Sequence, residues 1–473
     1  MDDRLAAFDG RPLEFANTCY TTLCYFIPAI SLLYAALCAL AVWGWLYNPR
    51  SVGMMHALPI TRKGIFATGL LSGLAMMLIP YVITGALVIL IALAFGLFEP
   101  VSILLTILGV LGDSFFYFSS ATLIVFLTGN PFAFAAFYFV LHFLAAGAEW
   151  LVSQLMTAFY FGVNHAYTGV VEFLSPTLYL SRHIRPMVSY QTITTPDGWQ
   201  DTGELESVWL QGGHLILVYA LVGAALLALA WALYRRRQSE SAGDVVAVGW
   251  MKPIFRYGVA LCTAAAGGLL LYYTLFSSLQ TGSIANPVFM AICMAVAGVI
   301  GYYIASMLLA KSLRVFKGTL PGALATAAVA AVLCFAVAAD PAGVEAWTPD
   351  PDSLTSLSFY VHGPYGRSVN ATLADETAIR KILNCQAAII AEKDVLDDGS
   401  GEKYYAHVYL TYRQDGRRTI WRSYDLRYTP ELLEQSGALL RLQDALSDPA
   451  VQEDNIFGNI YHRFDDPNDY RTE

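Results

Sequence analysis

Tyr47-Asn48-Pro49-Arg50-Ser51-Val52-Gly53-Met54-Met55-His56-Ala57-Leu58-Pro59-Ile60-Thr61-Arg62-Lys63-Gly64 is a short polar bridge between two long uncharged runs, residues 21–47 and 65–98. A run of about 20 apolar residues is enough to cross a bilayer, so the bridge reads as a loop between two membrane spans. Its charged residues are Arg50, Arg62 and Lys63, with no acid, which predicts the cytoplasmic side. Ser51 is the expected helix N-cap, and Pro59 ends any helix that follows. Val52, Met55 and Leu58 fall at i, i+3 spacing and predict a short apolar face containing methionine. Two functions fit this pattern. One is a loop whose bases only set topology. The other is a docking element for a cytoplasmic partner.

The rest of the composition supports a membrane setting. Of 473 residues 56% are hydrophobic and 14% charged, with a mean hydropathy of +0.50, which no ordinary soluble domain reaches. The net charge of −9 is concentrated at one end: residues 340–473 hold 23 acids and 13 bases, and the remainder is nearly neutral. Without a basic face on the soluble part, nucleic-acid binding is not expected. The seven cysteines, Cys19, Cys24, Cys38, Cys262, Cys293, Cys334 and Cys385, form no CxxC pair and read as small buried hydrophobes.

Spans are expected near 21–47, 65–97, 101–127, 131–155 and 213–234, and a further three near 254–276, 287–310 and 319–339. Pro80 is expected to kink or tilt the second. Residues 156–212 are broken by Asn164, Glu172, Pro176, Arg182, Arg185 and Pro186, and predict an interfacial or re-entrant external segment followed by an exposed loop. Residues 1–20 lack the basic start of a signal peptide. With the amino end outside, eleven of the fifteen bases that precede residue 340 fall in inside loops. That bias places residues 340–473 on the extracytoplasmic side. This tail reads as α+β. Strands are expected at Thr355–His362, Tyr404–Tyr412 and Arg418–Tyr424, a turn at Gln414-Asp415-Gly416, and helices at Asp375–Lys393 and from Pro430 to about Leu446. The fold class is therefore an α-helical polytopic membrane protein of about eight transmembrane helices with a small carboxy-terminal α+β soluble domain. The divisions expected are 1–240, 241–339 and 340–473.

Chemistry-bearing motifs are scarce. GxxxxGK[ST], HExxH and GxSxG are all missing from the sequence, so no catalytic residue, resident cofactor or metal site is assigned. His362 and His407 fall on expected strands and could meet, with no carboxylate pattern beside them to make a metal site. Ionisable residues at membrane depth carry more weight, because they are costly in lipid and generally face a bundle interior. Asp113 lies mid-span, and His142 and Glu149, seven residues apart, share a helix face. A polar or gating role for Asp113, His142 and Glu149 is one expectation, with pairing among them. The other is that they only pack.

The string Met55-His56-Ala57-Leu58-Pro59-Ile60-Thr61-Arg62 between two spans resembles the "LPvtR" segment of ABC-2-type exporter permeases. Phe126-Leu127-Thr128-Gly129-Asn130 resembles their Firmicutes-like subgroup, and Val408-Tyr409-Leu410-Thr411-Tyr412 with Asp415-Gly416-Arg417 resembles the extracytoplasmic domain some of them carry. The resemblance implies a membrane-spanning permease subunit of an ATP-binding-cassette transporter, active in export across a bacterial cell membrane. It implies a separate ABC ATPase subunit as partner, which alone would bind ATP and magnesium. The coupling segment would comprise Ser51, Val52, Met54, Met55, His56, Leu58, Pro59, Arg62 and Lys63, with residues 156–212 matching the family's external helices. A second permease subunit or a homodimer would complete the pore within the lipid bilayer. The family's first helix has no counterpart here, since residues 1–20 resemble the external loop that follows it. Two other classes compete: a membrane-anchored sensor or assembly protein whose tail binds an external ligand, and an enzyme built on Asp113 and Glu149.

Overall fold

The computed structural model describes residues 12–164, 171–195, 198–237, 242–277, 282–316, 318–362, 368–398, 404–414, 419–449 and 451. The expectations for residues 1–11 and for Asp415 and Gly416 of the turn lie outside the described residues. Among those described, eight helices are long and apolar enough to cross a membrane. They are α1 (Pro12–Tyr47), α3 (Arg62–Ala94), α4 (Pro100–Leu127), α5 (Pro131–Phe159), α7 (His214–Arg236), α8 (Met251–Leu275), α9 (Pro287–Ala310) and α10 (Leu320–Ala338). The short α2 (Pro49–Ala57) fills the bridge, and α6 (Pro176–His183) lies between α5 and α7.

The chain divides into two compact units: Met1–Ala148 with Gly169–Phe255, and Glu149–Thr168 with Arg256–Glu473. In the first, α1 begins well before residue 21. It passes through a π-turn at Thr22–Phe26 and closes in a tighter turn at Gly44–Tyr47. Helix ends are capped by side chains. Asn48 accepts from the Arg50 amide, Thr61 from Gly64, Glu99 from Ser102 and Asn130 from Ala133. Helix α3 runs unbroken through Pro80.

Residues 185–211 depart from the expected exposed loop. Strands β1 (Arg185–Thr195) and β2 (Gly198–Gln211) pair antiparallel, from Arg185 opposite Gln211 to Thr195 opposite Gly198. The chain leaves this hairpin through Gly212, whose φ of +76° is the left-handed region that glycine alone occupies without strain. A Cβ there would stand 2.2 Å from the His183 carbonyl oxygen, a backbone atom that cannot step aside. Gly212→Ala is expected to cost about 2 kcal/mol or more, from the left-handed penalty plus this clash. Gly213→Ala meets only the flexible end of Leu210, at 3.2 Å, and is expected to cost less. Thermal unfolding of the detergent-solubilised variants checks the order; equal midpoints would refute it.

In the second unit a four-stranded antiparallel sheet has the order β4 (Ser368–Leu373), β3 (Leu354–His362), β5 (Tyr404–Gln414), β6 (Ile420–Tyr428). Strand β4 was not expected. Alternation sends Leu357, Phe359, Val361, Ala406, Val408 and Leu410 to one face, where α11 (Glu376–Ala391) and α13 (Gly437–Leu446) cover them. The short α12 (Pro430–Gln435) leads into α13. Polar contacts join the segments that flank this sheet to those at the ends of the long helices of the same unit. The Asp397 carboxylate accepts from the Ser283 amide at 2.7 Å, and Glu345 accepts from the Phe161 amide at 3.0 Å and from Lys393 at 2.8 Å.

Candidate functional site

Every residue of the bridge from Tyr47 to Gly64 is described, and its geometry corrects the sequence reading in two respects. The N-cap is Asn48, three residues before Ser51. Pro49 follows at the first helical position, where its fixed φ suits the helix and its missing N–H is no loss. The helix ends at Ala57, and Leu58 is extended, as expected ahead of Pro59. The expected face of Val52, Met55 and Leu58 is therefore not one outward stripe. Val52 is buried and Met55 packs against the core of the first unit. The exposed apolar side chains are Met54, Leu58 and Ile60, with Pro59, Arg50 and Lys63 beside them.

The bridge is held from several directions. The Tyr47 hydroxyl lies 3.1 Å from Thr128 Oγ1. Arg62 Nη1 donates to the carbonyls of Arg235 at 3.0 Å and Arg237 at 3.4 Å, and Arg237 in turn donates to Val125 O at 2.8 Å. The His56 ring sits edge-on to Trp45, with centres 5.9 Å apart. Burial and the neighbouring Arg62 charge keep its imidazole below the ordinary value. The helix is thus half-anchored, with an outward apolar edge beside the exposed Arg50 and Lys63.

The intramembrane residues do not form the expected cluster. Asp113 is buried and lines a small void with Leu23, Cys24, Pro28, Leu180, Ile184 and Ile216. Neither of its carboxyl oxygens has a hydrogen-bond partner among the described residues, which rules out pairing with His142. His142 instead meets Ser120 Oγ through Nε2 at 3.1 Å and Thr177 Oγ1 through Nδ1 at 3.4 Å. Rings of Phe116, Tyr117 and Tyr138 surround it. Glu149 is half-buried and belongs to the other unit. The polar side chains that do meet were not singled out from the sequence. Tyr138 donates to Leu32 O at 3.1 Å, Ser31 lies 2.8 Å from Ser114, and Tyr117 donates to Thr177 at 3.2 Å. The hydroxyl-rich run Ser114, Ser119, Ser120, Thr122 inside an apolar helix was the signal that marked them. Such hydrogen bonds join membrane helices, so this arrangement is one that holds α1, α4, α5 and α6 together.

On the sheet of the second unit, the face opposite α11 and α13 carries Tyr360, Tyr405, Tyr409 and Trp421 with Ser358, Thr372 and Thr411 between them. A cavity of about 520 Å³ opens at Asn164, Tyr409, Leu410, Thr411, Trp421, Arg422 and Ser423. His362 and His407 stand opposite each other, ring centres 6.4 Å apart, and Asp425 lies 2.7 Å from His407 Nδ1. Among the described residues no group of three or more His, Cys, Asp or Glu is placed to hold a metal. No family model, curated protein or solved structure matches the chain.

Proposed function

We propose that this chain is the permease subunit of an ATP-binding-cassette exporter, driven by a separate ATPase subunit that docks on residues 48–64. The observation that supports it most is the form of the bridge. Val52 and Met55 fix α2 to the bundle, while Met54, Leu58 and Ile60 project outward between Arg50, Arg62 and Lys63. A partner groove closing on that edge would move α2, and α2 would move α1 and α3 at its two ends. ATP and magnesium enter through the partner. The reading places the bridge in the cytoplasm of a bacterial cell, residues 340–473 outside it, and a second permease subunit or a second copy of this chain across the pore. The test is whether the full-length protein, isolated from its native membrane, carries an ATP-binding-cassette ATPase with it. Met54→Glu with Leu58→Glu is expected to reduce association more than tenfold, since a charge is forced into an apolar contact, while the exposed control Phe132→Glu leaves it intact. Unchanged association of the double variant, or no ATPase on the wild-type protein, overturns the proposal.

A second reading has one observation in its favour. The aromatic and hydroxyl-bearing open face of the sheet, with its cavity beside Tyr409, Trp421 and Arg422, is suited to a polar ligand, as in a membrane-anchored sensor. That reading expects a ligand for the second unit and no associated ATPase.

A further inference from the structure

A shallow groove in the first unit runs between α3 and α7, with a volume of about 400 Å³, lined by Lys63, Phe66, Leu70, Leu227, Ala228 and Trp231. Its two walls are helices of membrane-crossing length, and its upper rim is the place where their basic ends come together. Arg62 makes that junction rigid by donating to the carbonyls of both Arg235 and Arg237. Lys63 lines the mouth, Arg235 lies beside it, and Arg236 is the next residue of α7; all three are exposed, and among the described residues none of them carries an ion pair. The Arg235 guanidinium is 5.9 Å from the centre of the Trp231 ring, which directs one cation over the groove itself.

We infer that this groove binds an anionic phospholipid of the bilayer, its phosphate among Lys63, Arg235 and Arg236 and an acyl chain along Phe66, Leu70, Leu227 and Ala228. Charge decides the headgroup. Among the described residues no carboxylate lines the groove or pairs with these three cations, which favours a net negative group, and basic pockets between membrane helices recognise lipid headgroups in this way. The shape decides the rest. A free phosphate ion would leave the apolar trough unfilled, and a zwitterionic lipid would set a fourth cation against the three already present. The inference is independent of the transporter reading, because it needs only that α3 and α7 cross a membrane.

The experiment uses the full-length protein in detergent, with phosphatidylglycerol and phosphatidylcholine as probes and native mass spectrometry as readout. Wild-type protein is expected to bind phosphatidylglycerol at least tenfold more tightly than phosphatidylcholine, with inorganic phosphate competing no better than chloride. The triple variant Lys63→Gln, Arg235→Gln, Arg236→Gln keeps the Arg235 carbonyl that Arg62 needs, and is expected to lose that preference. Leu227→Trp fills the trough without altering charge and is expected to weaken phosphatidylglycerol at least fivefold. Equal binding of the two lipids by wild-type protein would overturn the inference, as would full retention of phosphatidylglycerol by either variant. A Leu227→Cys protein that cross-links to its own copy whatever the lipid would assign the groove to a second chain, and would also overturn it.

Discussion

Trp43→Ala is expected to destabilise the first unit by about 3 kcal/mol or more, the low end of the range for truncating a buried tryptophan. Trp43 is fully buried near the carboxy-terminal end of α1, with ring centres 5.1 Å from Phe126, 5.7 Å from Phe66 and 6.4 Å from Tyr234. One side chain thus links α1 to α3, α4 and α7. Between membrane helices the transfer of apolar surface from water contributes little, and the lost contacts make up most of the cost. The indole Nε1 has no hydrogen-bond partner among the described residues. Trp43→Phe, which loses volume but no hydrogen bond, should therefore cost clearly less. A Cβ on Gly69 would lie 2.4 Å from the Trp43 ring, so Gly69→Ala is expected to be harmful alone and tolerated once Trp43 is alanine. Thermal unfolding of the four proteins in detergent measures the cycle. Additive costs would mean that the ring does not rest on Gly69.

The same region shows what was legible in the sequence. The eight long helices could be read because uninterrupted apolar runs have few other fates. The cap of α2 is also legible: Asn48 followed by Pro49 is a stronger start signal than Ser51, which stands next to the apolar triplet. The hairpin at Arg185–Gln211 was harder, because its polar sequence resembles a loop and its pairing comes from backbone hydrogen bonds. The partners of His142 could not be read at all. Ser120 is 22 residues away and Thr177 is 35, on different helices, and only the packing of three elements brings them to one ring. For Asp113 the sequence indicated burial at membrane depth, but the lack of a partner for its two oxygens among the described residues is a property of the packed bundle. In the bridge, helical spacing grouped Val52, Met55 and Leu58. The helix ends before Leu58, so the residues left for a partner are a different set.

Gln386→Leu is expected to cost roughly 2–6 kcal/mol, because it leaves two buried hydroxyls without partners at about 1–3 kcal/mol each. Gln386 is on α11, where its Oε1 accepts from the Tyr412 hydroxyl at 2.7 Å and its Nε2 donates to the Tyr424 hydroxyl at 2.9 Å. Both tyrosines point into the core from neighbouring strands, so one amide ties β5 and β6 to the helix above them. Leucine fills nearly the same volume, so the loss reports the hydrogen bonds and little else. The asymmetry between unpaired and absent polar groups gives the decisive control. Adding Tyr412→Phe and Tyr424→Phe to Gln386→Leu removes all three polar groups, and is expected to recover most of the lost stability. Amide hydrogen exchange along α11 and β5 in the full-length protein reads both effects. Alkaline pH gives an independent check. Burial pushes the Tyr424 hydroxyl up to about 12 and raises Tyr412 well above its ordinary value. The folded state disfavours the ionised form of each, so their contribution is intact below about pH 10 and is lost as pH rises through 12. The double phenylalanine variant should lack that alkaline loss. If it loses protection over the same pH range as the wild-type protein, the two hydroxyls are not held in this core.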